Sequence, residues 1–88
     1  MITGRTQTGF EYGIEEDALD DYELLEKLCA IDKGDASQIV PAMNLLVGEH
    51  QKEMLKEHCR KETGRISTKR MFEEFTEIIS GIQSGKNS

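Results

Sequence analysis

The stretch Thr8–Leu25, TGFEYGIEEDALDDYELL, changes its period midway. From Phe10 to Ile14 apolar residues alternate with others, the period of a half-buried strand. From Glu15 onward acids crowd in, and Leu19, Tyr22, Leu24 and Leu25 recur at helical spacing. Upstream, Ile2 adds apolar signal, and Thr3, Thr6 and Thr8 favour extended backbone. Gln7-Thr8-Gly9 reads as the turn, so residues 2–14 are expected to form a β-hairpin. An isolated hairpin is marginal in water and must pack on the rest of the chain.

The remaining sequence reads as four helices. The first is expected over Asp17–Asp32, with Asp17 as its N-cap and negative charge in its first turn, where the helix dipole favours it. Leu19, Tyr22, Leu25 (or Glu26) and Cys29 form one stripe, with Leu24, Leu28 and Ile31 beside it. Gly34 ends this helix. The second begins near Ser37, capped by Asp35 or Ser37, with Pro41 tolerated in its first turn, and stops at Gly48. The third, Glu49–Lys61, is polar, with Met54, Leu55, His58 and Cys59 as its only candidates for burial. The fourth opens at Ser67, where Ile66 and Met71 suit a hydrophobic staple. Its Met71, Phe75, Ile78 and Ile82 share a face, with Phe72 and Ile79 next to it. The fold class is therefore mainly α, about four helices in a small bundle with a short N-terminal β-hairpin. One domain is expected over residues 1–82, then a flexible tail over 83–88.

Eighty-eight residues make one small domain with a thin stability margin. Hydrophobic content is 36 % and the net charge is −6. The acids are concentrated in Glu11–Glu26, which contains no Lys or Arg, and the bases in Lys52–Arg70. Net acidity disfavours nucleic acid, whose affinity rests on neutralising phosphates. The basic set is interleaved with Glu49, Glu53, Glu57 and Glu62, so pairs such as Glu49–Lys52, Glu53–Lys56 and Glu57–Lys61 are expected on a solvated face. No apolar run is long enough for a membrane span, and the first residues do not read as a signal peptide. Cys29 and Cys59 are expected as reduced thiols.

Catalytic and metal patterns are missing from the sequence. His50, His58, Cys29 and Cys59 match no zinc spacing, and His58 and Cys59 point about 100° apart on a helix. The carboxylates around Asp32 and Asp35 lack the spacing of a calcium loop. The glycines do not form a phosphate-binding motif. No cofactor is implied, and the chain is not expected to be an enzyme.

Two long segments, TGFEYGIEEDALDDYELLEKLCAIDKGD (residues 8–35) and LLVGEHQKEMLKEHCRKETGRISTKRMFEEFTEII (residues 45–79), resemble the small tail assembly chaperones of long-tailed phages and prophages of Gram-positive bacteria. The resemblance lies in the order of features and covers about Ile2 to Ile82. It implies a chaperone that binds the tape measure protein and helps recruit tail tube subunits. It also implies a place in the host bacterial cytoplasm and not in the mature virion. Many such proteins are the short form of a frameshifted pair, and the Gly85-Lys86 dipeptide is compatible with a slippery coding run. The rival from another class is a small acidic phage-encoded regulator or inhibitor acting by protein–protein contact.

A chaperone of this kind needs an apolar surface for an amphipathic helix. The core is expected from Ile39, Met43, Leu46, Phe72, Phe75 and Ile79, with its overflow as the partner surface. The candidate partner-binding residues are Met43, Leu46, Met54, Met71, Phe72, Phe75 and Ile79; the unbranched Met side chains repack readily. Exposed apolar area of this sort also permits a homo-oligomer.

Overall fold

The computed structural model describes the backbone of residues 1–86 and the side chains of residues 1–82. Two antiparallel strands, β1 (Ile2–Arg5) and β2 (Glu11–Ile14), form the expected hairpin, with Ile2 opposite Ile14 and Arg5 opposite Glu11. The chain turns at Gly9, whose φ of 94° suits glycine. Four helices come after it: α1 (Glu16–Leu19), α2 (Tyr22–Asp32), α3 (Ile39–His58) and α4 (Thr68–Lys86). The fold is thus mainly α, a small bundle with an N-terminal hairpin. No helix among the described residues is long and apolar enough to cross a membrane. The tail expected from residue 83 lies outside the residues whose side chains are described; the α4 backbone is helical to Lys86.

The single helix expected over residues 17–32 is broken. Asp21 adopts extended backbone (φ −97°, ψ 114°), and its carboxylate accepts from the Glu23 and Leu24 amides at 2.9 and 3.3 Å. An aspartate that bonds the backbone two and three residues on offers the chain an alternative to continuing a helix. Asp21, not Asp17, is therefore the cap of the long helix, and α1 is a single turn that starts after Glu15 with no side-chain cap. The break also rotates the buried face. Leu24 is buried, and Leu28 and Ile31 pack on the core. Tyr22, Leu25 and Cys29, expected in the main apolar stripe, face solvent.

Asp35 caps a short 3-10 turn (Ala36–Gln38) that leads into α3. The expected stop at Gly48 is present as a break inside one helix: Gly48 has φ 82° and ψ 159°, and helical backbone resumes directly after it. Only glycine takes these angles readily, so the sequence sets where α3 bends. Ser67 opens α4, its hydroxyl accepting from the Arg70 amide at 3.3 Å.

The core is assembled from the hairpin and the three longer helices. Phe10, Tyr12 and Ile14 come from the hairpin, Leu24 from α2, Ala42, Met43, Leu46 and Leu55 from α3, Cys59 from its C-cap, and Phe75, Ile78 and Ile82 from α4. Gln51 covers the free edge of β2. Its side-chain amide accepts from the Gly13 N–H at 2.7 Å and donates to the Gly13 carbonyl at 2.8 Å, as a third strand would. Its Nε2 also donates to the Val47 carbonyl at 3.0 Å, which fixes the amide beside the break.

Tyr12 locks the hairpin to α4. Its ring lies over Gly4 on the neighbouring strand, and its hydroxyl reaches Gly81. A Cβ on Gly81 would stand 2.6 Å from the Tyr12 oxygen but 3.9 Å from Cζ, whereas one on Gly4 would meet Cζ at 2.5 Å. Gly81→Ala is therefore expected to cost about 1–3 kcal/mol in the native protein through overpacking. In a Tyr12→Phe background the sign reverses, because the helix gains about 1 kcal/mol from Ala over Gly. Gly4→Ala stays destabilising in both backgrounds, since the ring remains. Urea unfolding of the six proteins checks this, and equal Gly81→Ala effects in both backgrounds would refute the slot.

Candidate functional site

Two places gather side chains beyond the needs of a bare core. One is polar, where the hairpin turn meets α4. The Glu74 carboxylate is 2 % exposed, and it accepts from the Thr6 hydroxyl at 2.8 Å and from the Thr8 hydroxyl at 2.9 Å. The Thr6 oxygen accepts from the Phe10 amide, and the Gln7 amide donates to Glu77 at 2.8 Å. His58 Nε2 lies 2.9 Å from the Thr8 oxygen and 4.0 Å from Glu74, with its ring 5.4 Å from that of Phe10. Thr8 gives its proton to Glu74, so its lone pairs face His58, and Nε2 carries the hydrogen. This is the reverse of an activated nucleophile, in which the imidazole would take the hydroxyl proton. The cluster acts as a latch that holds the turn on α4.

The second place is apolar. α4 rests on the hairpin and on α3 through Phe75, Ile78 and Ile82, while α2 faces it across an open seam. Shallow grooves run along the seam, and three of them follow one another along α4. The first, about 170 Å³, is bounded by Leu19, Leu24, Leu25, Leu28, Ile79 and Ile82. The second, about 220 Å³, lies between Leu28, Ile31, Ile39, Phe72, Phe75 and Ile79. The third, about 310 Å³, lies beyond Phe72 among Val40, Met43, Ile66, Met71 and the stems of Lys52 and Lys56. Ile79 is shared by the first two and Phe72 by the last two, so these side chains are the ridges between grooves. They are seven residues apart on one helix, or about 10.5 Å.

The expected partner residues divide in three. Phe72, 38 % exposed, and the half-buried Met71 and Ile79 line the seam. Met43, Leu46 and Phe75 are buried to within 4 % exposure and serve the core, reaching the surface only as groove floor. Met54 is exposed but lies elsewhere, in a separate hollow beside the Gly48 break with Met1, Ala18 and Leu45. Leu25, Leu28, Ile31 and Val40 belong to the seam and were missing from that set. The signal for them was available: α2 has apolar residues on more positions than one face can bury.

The surface charge is only partly as expected. Lys56 pairs with Glu53 at 3.1 Å. Glu57 pairs with Arg60 in place of Lys61, which holds the Glu57 carboxyl below its ordinary range. Among the described residues Lys52 has no ion pair.

A scan against protein-family models, a search of curated proteins and a search of solved structures each gave no match for this chain.

The latch and the thiols each give a testable outcome. Thr6→Ala removes a donor from a buried carboxylate and is expected to cost about 1–3 kcal/mol, against less for the exposed Thr8→Ala, measured by urea unfolding. The two thiols also separate. Burial pushes the Cys59 thiol up, with the nearby Glu74 charge adding to it, while Cys29 is exposed. A thiol reagent at pH 8 is expected to modify Cys29 rapidly and Cys59 only on unfolding; two equally fast thiols would contradict the packing.

Proposed function

We propose that this chain is a non-enzymatic tail assembly chaperone of a long-tailed phage or prophage, working in the host bacterial cytoplasm. It binds the tape measure protein and helps recruit tail tube subunits. The resemblance over about Ile2 to Ile82 suggests the family, and the seam supplies the chemistry. The observation that carries the reading is the series of apolar grooves separated by Phe72 and Ile79. They are too shallow and open to enclose a small molecule. Their ridge spacing of about 10.5 Å equals the i to i+7 rise of a docked helix, so anchors two turns apart drop into successive grooves. A long helical tail protein awaiting assembly carries such anchors and needs them covered.

The test is co-expression with the tape measure protein encoded by the same phage genome. Wild type is expected to keep the tape measure protein soluble and to co-purify with it. Phe72→Glu is expected to lower that affinity by at least ~30-fold, the scale of an interface hot spot, with an unchanged circular dichroism spectrum. Phe75→Glu is expected to unfold the protein, because Phe75 is core. A wild-type chain that leaves the tape measure protein insoluble and does not bind it would reject the proposal.

A further inference from the structure

The outer face of α2 is a second amphipathic surface that the fold does not use. Leu24 and Leu28 anchor the inner face on the core. Outward from these, Leu25, at the edge of the seam, is 53 % exposed and Tyr22 71 % exposed, with Cys29 exposed in the same stripe. Glu23, Glu26 and Asp32 flank this stripe and are all exposed; of the bases nearby, Lys27 is half-buried and Lys33 stands at the far end. The groove beyond Phe72 has the opposite character. Val40, 56 % exposed, and Met71 give it an apolar lining, and Lys52 and Lys56 give it positive charge. Part of the Lys56 charge is met by Glu53, and the half-buried Lys52 has no ion pair among the described residues.

We infer that the acidic outer stripe of α2 in one copy docks in the lysine-bordered groove between α3 and α4 of a second copy. Apolar side chains meet apolar lining while Glu23 and Glu26 face Lys52 and Lys56. The stripe cannot enter its own groove, because α2 is held inner face down by Leu24 and Leu28. The contact joins two different patches, so a pair keeps one free stripe on one copy and one free groove on the other, and association runs head to tail. The helix supplying the stripe is 11 residues, about 16 Å. A contact of that length falls at the small end of protein interfaces, so association is weak and depends on concentration. This inference goes beyond the chaperone reading and does not rest on it.

Sedimentation velocity of the full chain from about 1 μM to about 1 mM tests it. The wild-type mass is expected to grow with concentration and to fall back as salt is raised, since the charge component is screened. Tyr22→Ser with Leu25→Ser removes the stripe, and Lys52→Glu with Lys56→Glu reverses the groove; each protein alone is expected to stay monomeric. Mixed one to one, they retain a single productive pair and are expected to give a dimer that grows no further. Val40→Glu serves as the groove variant if circular dichroism shows the lysine double variant unfolded. A wild type that stays monomeric across the range overturns the inference. So do variants that associate like wild type, and so does a mixture that forms no dimer, which would point to a symmetric contact through one patch.

Discussion

The structure depends on the docking of the hairpin onto α4. Two strands of four residues cannot hold themselves together in water. A polar and a steric device join them to the helix. The carboxylate of Glu74 is almost wholly out of water, and an unpartnered carboxylate there would be costly; two threonine hydroxyls from the turn supply its partners. About two turns further along α4, Tyr12 fills the space left by Gly4 and Gly81. The hairpin can then present Phe10, Tyr12 and Ile14 as one wall of the core, with Gln51 closing its outer edge.

That docking determines what is left open. Phe75, Ile78 and Ile82 of α4 turn toward the core made by the hairpin and α3. Phe72 and Ile79 flank that face, across the grooves from α2 and the start of α3. α2 is itself displaced by the break at Asp20-Asp21, so the two helices meet across grooves and not in close packing. The seam is a product of geometry. A helix already committed on one side meets a partner whose entry point is set by an aspartate cap.

Much of this was legible in the sequence. The alternation of Phe10, Tyr12 and Ile14 marked the strand, Ser67 marked a helix start, and Gly48, expected as a helix stop, marked the break inside α3. These are local signals, each carried by backbone conformation or by a capping oxygen. The misreadings have a common origin in long-range contacts. Asp17 is the cap expected from the sequence, whereas Asp21 fills that role by bonding the Glu23 and Leu24 amides. On α2 the stripes through Leu25 and through Leu24 are both apolar, so periodicity alone does not say which one is inside. Thr6 and Glu74 look like surface residues because nothing in either segment announces the other, 68 positions away. Of the expected partner set, Phe72, Met71 and Ile79 line the seam because they flank the stronger α4 face. Met43, Leu46 and Phe75 were named for being apolar, and in so small a domain the core had first claim on them.

The exposed apolar residues are hard to read as leftovers. Single exposed leucines are ordinary on any surface, and continuity is the informative property. Leu25, Leu28, Ile79, Phe72, Met71 and Val40 succeed one another through shared grooves from α2 across α4 to the start of α3. A domain of this size has little stability to spare, and full burial of a side chain such as Leu25 or Phe72 contributes about 1.5–3 kcal/mol. A continuous band withheld from the core therefore forgoes stabilisation that a small domain needs. Met54 lies outside this band, in a hollow beside the Gly48 break with Met1, Ala18 and Leu45. The band is a different case, since its ridges repeat at a helical interval and one end of it is bordered by lysines while the acidic face of α2 borders the other.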